Sequence, residues 1–313
     1  MTTNLLRNEM NTTALTSSNN QDKILNVGVD NSNSTAMQRA MSPPDFAAII
    51  EARALISLAN SVYPDILGRP ATSKEMTAFV NTITANHESV YSALHKVVYT
   101  QEAYNRIAQM DKAMLGYDVN NDTISAQQEK LCQVTRSTGW ASSGHTGNTT
   151  VTYTPQYTMS DIRNDFAFGP SVREAVVNML TNMGVNPSEQ DITWSQDRFA
   201  EGRSYQSVLS EHAHGYHGDY AAKQLMSSIL GRAATDGDSG WLNAMKDGLG
   251  NGMTYQQLLS KEAHGILGDY AVKELLQKID GRSATDSDTA WLNMVKDQLA
   301  GGKSYQQILS ENT

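Results

Sequence analysis

The stretch DVNNDTISAQQE, Asp118 to Glu129, has the residue types and spacing of a calcium loop. Such a loop presents oxygens at positions 1, 3 and 5 and closes with a bidentate glutamate at position 12. Asp118, Asn120, Asp122 and Glu129 meet that count, and calcium is the cofactor they imply. The sixth position departs from the pattern, with Thr123 where a sharp turn favours glycine. If that glycine is deleted instead, Gln128 falls at the closing position. The competing reading is a polar loop that caps a helix beginning near Ser125.

Other chemistry-bearing residues each carry two readings. EHAHGYHGD, Glu211 to Asp219, places His212, His214 and His217 close in sequence, which suits zinc. However, His214 recurs as His264, while His212 and His217 become Glu262 and Leu267, which favours a packed helix end. The pairs Asp236/Asp238 and Asp286/Asp288 suit cations, but their place before a Trp-bearing helix suits N-capping better. Trp194, Trp241 and Trp291 could stack on sugar rings, yet they fall on apolar stripes and read as core. Arg69, Arg232 and Arg282 follow helix-ending glycines and are placed to bond carbonyls or a carboxylate. There is no Gly-rich phosphate loop, Gly-x-Ser-x-Gly elbow or His-Glu-x-x-His, and TGWASSGH (Thr138 to His145) offers Ser and His on a loop. The residues point away from an enzyme.

What must position these groups is an internal repeat. Gly218 to Gly265 returns fifty residues later as Gly268 to Asn312, with a little over half the positions identical and no gap. A weaker copy precedes them, with Trp194 three residues closer to its Tyr205, and a distant one begins ILGRPATSKEMTAFV. Four units result, at roughly 56–107, 172–217, 222–267 and 272–313, each reading as three short helices. In the last, Asp269 is placed to cap a helix carrying Val272, Leu275, Leu276 and Ile279. Trp291, Leu292, Val295 and Leu299 form the next stripe, and Ser304 caps a helix that buries Tyr305, Ile308 and Leu309. No such unit closes a core alone, so neighbours must pack on one another.

The remainder of the chain divides around those units. Residues 1–42 are rich in Asn, Ser and Thr and read as a flexible or partner-ordered arm. Residues 43–107 form a helical region that opens at SPPDF and holds the first unit. Residues 108–171 are an insertion in which GNTTVTYTPQYT (Gly147 to Thr158) alternates like a hairpin or edge strand, and 172–313 hold the other three units. The expected fold is all-α, with short three-helix repeats in tandem, a small β-containing insertion and the arm.

Charge and composition bound the partners. With 313 residues and a net charge of -9, the chain lacks the basic face that nucleic acid requires. Its single cysteine, Cys132, excludes an internal disulfide. No run approaches the ~20 apolar residues of a membrane span. The first residues show no basic head before an apolar run, so no cleavable signal peptide is expected.

The pattern "LGR", then an aromatic, then "G-x-[ST]-Y" and "[ST]-x-E-A" resembles a bacterial tandem helical-repeat domain of unknown function, about 50 residues per copy. The resemblance covers the first, third and fourth units. It is poor in the second, where TNMGVNPS replaces ILGRAAT. That family is found appended to secreted, surface-layer, toxin-like and carbohydrate-active proteins. The resemblance implies a location outside a bacterial cell or on its surface. The expected function is a non-enzymatic structural protein that self-assembles or acts as a spacer, calcium-assisted if the Asp118 loop binds metal. Its partner would be itself or a cell-surface polysaccharide. The alternatives are a carbohydrate-binding module of a secreted protein and a structural component of a phage or secretion appendage.

Overall fold

The computed structural model describes residues 43–143 and 146–313; the N-terminal arm lies outside them. The described chain is mostly α-helical and carries one two-stranded antiparallel sheet. It divides into two compact units, one holding residues to 109 together with 119–162, the other 110–118 together with 163–313.

The first unit is built on a long helix, α1 (Pro43–Leu67). Its Leu55, Leu58, Ala59, Val62 and Ile66 recur at three- and four-residue spacing and are buried. α2 (Ser73–Thr84) starts from a reciprocal capping box in which Thr72 and Glu75 satisfy each other's amides. Arg69, just past the left-handed Gly68, grips Glu75 and Glu102 at 2.8 Å each. α3 (Val90–Val98), α4 (Gln101–Leu115, whose last turns belong to the second unit) and α5 (Asn121–Leu131) follow. A hairpin of β1 (Val134–Ser143) and β2 (Thr146–Pro155) packs β2 on α1, where Arg136 and Tyr153 both bond Glu51. Residues 138–143 are therefore strand, not the loop expected from sequence. They lack apolar alternation, and their extended form is fixed by backbone pairing with β2. Pro155 is the last residue of β2, where its missing N–H costs no ladder bond.

The second unit contains α6 (Met159–Ala167, in part), α7 (Pro170–Asn182), α8 (Glu189–Ala200), α9 (Tyr205–His214), α10 (Tyr216–Leu230), α11 (Ser239–Gly250), α12 (Tyr255–His264), α13 (Ile266–Asp280), α14 (Thr289–Ala300) and α15 (Tyr305–Asn312). Its core is a set of apolar faces on the longer helices: Val172, Val176 and Met179; Leu225, Met226 and Ile229; Val272, Leu275 and Leu276. α10 and α13 stop at Gly231 and Gly281, both left-handed at φ 68°. The arginine after each glycine holds the carboxylate that caps the next element: Arg232 to Asp238 at 2.7 Å, Arg282 to Asp288 at 2.7 Å. Of each aspartate pair before the Trp helices the second, Asp238 or Asp288, closes a capping box with Thr235 or Thr285, while Asp236 and Asp286 lie in the first turn.

Two sequence expectations change. α13 begins at Ile266 behind Gly265, and Asp269 sits in its first turn bonded to Lys296 rather than capping. Trp241 and Trp291 lie in the first turns of α11 and α14 and Trp194 in the middle of α8, all half-buried rather than core.

The left-handed glycines are also where rings pack. Gly116, Gly184 and Gly231 lie under Tyr205, Tyr255 and Tyr305, and a Cβ on Gly231 would stand 2.3 Å from Tyr305 Cδ1. Gly281 has the same backbone angle and no atom within 4 Å of that position. Comparing the two separates backbone strain from ring overlap. Gly281→Ala is expected to cost the ~1–2 kcal/mol of a left-handed non-glycine. Gly231→Ala should cost about 1–3 kcal/mol more, because Tyr305 must also move. Urea unfolding of both variants measures this, and equal losses would show that the ring contact constrains nothing.

Candidate functional site

The four residues of the calcium pattern lie on and beside a helix. α5 runs through the stretch that the pattern needs as a loop. Asn120 is its N-cap, its side chain accepting from the Thr123 amide at 2.8 Å, and Asp122 is in the first turn. Glu129 comes two turns later and accepts from the Tyr91 hydroxyl at 2.8 Å. Asp118 is largely exposed and pairs with Lys112 at 3.0 Å. A rise of 1.5 Å per residue puts roughly 12 Å of helix axis between Asn121 and Glu129, so the oxygens do not converge. Among the described residues no group of three or more His, Cys, Asp or Glu side chains is placed to hold a metal ion. The capping reading describes this stretch, with the helix starting at Asn121 rather than near Ser125.

The three histidines of EHAHGYHGD go to three different partners. His214 bonds Asp247 at 3.0 Å and the Ser210 carbonyl at 2.9 Å, and His264 repeats both contacts with Asp297 and Ser260. These hydrogen bonds to carboxylates raise both imidazole pKa values. His217 donates from Nε2 to Asp191 at 2.9 Å. His212 is buried and lies 2.8 Å from Ser195 Oγ.

A buried polar pair, Ser195 with His212, and a partly buried one, Asp191 with His217, thus meet between α8 and the α9–α10 junction. The Ser195 hydroxyl gives its single proton to the Asp191 carbonyl at 2.8 Å, so His212 Nε2 is the donor to Oγ. Ser195 is fully buried and its proton is committed, which leaves no activated nucleophile. Burial holds the His212 pKa down to about 4, with His217 adding to the effect. At Asp191 burial pushes upward, but the Ser188 hydroxyl, its amide and His217 outweigh it and keep the carboxyl below its ordinary value. His212 meets the Trp194 ring edge-on at 4.8 Å and lies 5.2 Å from His217. A groove of about 260 Å³ opens here, lined among others by Gln190, Asp191, Trp194, Glu211, Tyr216 and His217.

Sequence reasoning named these histidines and Trp194 but missed Asp191 and Ser195 as their partners. The pairs lie 17 and 26 residues apart, beyond any local motif. The available signal was the mismatch with the next copy, where Glu262 and Leu267 replace His212 and His217. Cys132 is buried, which pushes its thiol up to about 12 and leaves it unreactive.

The His212 environment predicts a pH dependence. Between about pH 6.5 and 4 the unfolded chain binds a proton at this site and the folded chain does not, so stability falls as pH drops through that window. The loss from this group is on the order of 3 kcal/mol. His214 and His264 work in the opposite direction, but they are half-exposed and weak. His212→Gln keeps a donor for Ser195 and does not titrate, so its urea midpoint should vary less between pH 7 and 4.5 than that of the unsubstituted protein. Parallel profiles would contradict a buried neutral imidazole.

No family model matches the chain, and neither does any curated protein or solved structure.

Proposed function

We propose that this is a non-enzymatic structural protein whose helices are tandem copies of one unit, serving as a self-assembling scaffold or spacer at a bacterial surface. Each copy in this reading is a long helix, a left-handed residue, a capped middle helix and a capped short helix, and in every copy but the second another left-handed residue precedes the short helix. In place of the four units read from the sequence, five copies follow, at 43–98, 101–167, 170–214, 216–264 and 266–312, and the stretch read as an insertion becomes part of the second, which holds the hairpin. His87, at φ 56°, stands two residues before its cap Ser89, as Gly202, Gly252 and Gly302 stand before Ser204, Thr254 and Ser304.

The observation that carries this reading is the recurrence of contacts between successive copies. Tyr205, Tyr255 and Tyr305 each cover the left-handed glycine of the copy before. His214 and His264 bond the aspartate of the copy after at the same 3.0 Å. Gln206 and Gln256 donate to the carbonyls of Gly250 and Ala300, fifty residues apart. A body whose neighbours meet through one repeated interface suits a mechanical role, since its energy is shared among equivalent junctions. The surface location rests on the resemblance of the LGR…G-x-[ST]-Y pattern.

Light scattering and negative-stain imaging of the full chain test the proposal, in calcium and in chelator. Regular assemblies are expected in both, because α5 disperses the acidic oxygens. Assemblies lost in chelator and on Asp118→Ala would restore a calcium role and keep the scaffold. A monomer under every condition would overturn self-assembly.

A further inference from the structure

We propose that the groove between α8 and the α9–α10 junction binds a single neutral, polyhydroxylated ring, such as one sugar residue of a polysaccharide. The first support is a coordinated departure from the chain's own repeat. Counting back from the left-handed Gly202 and Gly252, Asp191 and Ser195 occupy the positions of Trp241 and Met245. Across the junction His212, Tyr216 and His217 stand where the next copy has Glu262, Ile266 and Leu267. Four apolar residues and one glutamate are exchanged for hydrogen-bonding groups, all facing one cavity or directly supporting its wall.

The second support is an unanswered polar atom. His217 Nε2 is committed to Asp191, while its Nδ1 is buried and has no hydrogen-bond partner. Leaving such an atom unpaired is costly, and a ligand that reaches it recovers that cost. Nδ1 accepts when the ring is neutral and donates when it is charged. A hydroxyl group serves in either state.

The surroundings select among ligand classes. The Asp191 and Glu211 carboxylates disfavour an anion, and the nearby Arg198 is engaged by Glu201 at 2.8 Å. The donor set does not assemble a metal site. A purely apolar ligand would leave His217 Nδ1 unpaired. Tyr216, 79% exposed, offers a ring face at the rim, and Trp194 forms part of the wall. Aromatic faces beside carboxylate, amide and imidazole groups match the C–H faces and hydroxyls of a pyranose. The cavity volume, about 260 Å³, falls below the ~300–1,000 Å³ of drug-sized pockets and suits one ring.

Titration of the full chain with methyl glycosides of glucose, galactose, mannose and N-acetylglucosamine, followed by saturation-transfer NMR and calorimetry, tests the site. Saturable binding of at least one glycoside is expected, weakened about tenfold or more by His217→Leu and by Tyr216→Ala. Leucine already stands at the equivalent position 267, and Tyr216 is exposed, so at least one variant should retain its fold; circular dichroism checks both. Binding of no glycoside, or binding unchanged in both variants, would overturn the proposal. The outcome is independent of assembly. A monomer that binds through this groove would refute only the scaffold, and an assembled protein that binds no glycoside would refute only the groove.

Discussion

The second unit depends on the close approach of a ring to a helix end. α4, α7 and α10 each terminate in a left-handed glycine, and Tyr205, Tyr255 and Tyr305 occupy the space a side chain would need. The glycine serves two purposes, since the left-handed conformation ends the helix without steric cost and the missing Cβ admits the ring. The tyrosine is the first residue of its helix, directly after the capping Ser or Thr. One contact therefore fixes where one helix stops and where another starts.

The surface chemistry extends that geometry. After Gly68, Gly231 and Gly281 an arginine binds the carboxylate of the following capping box, so the turn is closed by a charge-assisted bond while the box satisfies the helix amides. The second Asp of each pair is held well below the ordinary carboxylate range by its arginine. These exposed pairs add little stability individually. They select one turn geometry and repeat it at Glu75, Asp238 and Asp288.

Much of the fold was legible in the sequence because its determinants are local. The Gly231/Gly281 stops, the TDGD and TDSD caps and the Ser304 cap need only a few adjacent residues, and each was read correctly. What was missed depends on pairing across the fold. β1 is a strand because β2 pairs with it, and no apolar alternation in Thr138–Ser143 signals that. The stretch with the calcium pattern takes helical form, with Asn120, read as a ligand, capping a helix from Asn121 that carries Glu129 two turns away. Trp194 looked like Trp241, but measured from the left-handed glycine it sits one turn later, which leaves Asp191 and Ser195 at the buried side of the groove.

The polar junction between α8 and α9 shows how a helical framework accommodates buried polar groups. Burying Ser195 and His212 without partners would cost several kcal/mol. Their mutual bond and the Asp191 carbonyl offset that cost, while the capping box that starts α8 also orients Asp191 toward His217. The cap is needed for the helix in any case, so the second carboxylate oxygen is placed at no further conformational cost. Polar groups can thus replace Trp241- and Leu267-type packing in one copy without disturbing the tyrosine–glycine contacts at either side. The caps and left-handed glycines set the backbone, and the side chains facing the junction are left to differ from those at the corresponding sequence positions 241, 245, 262 and 267.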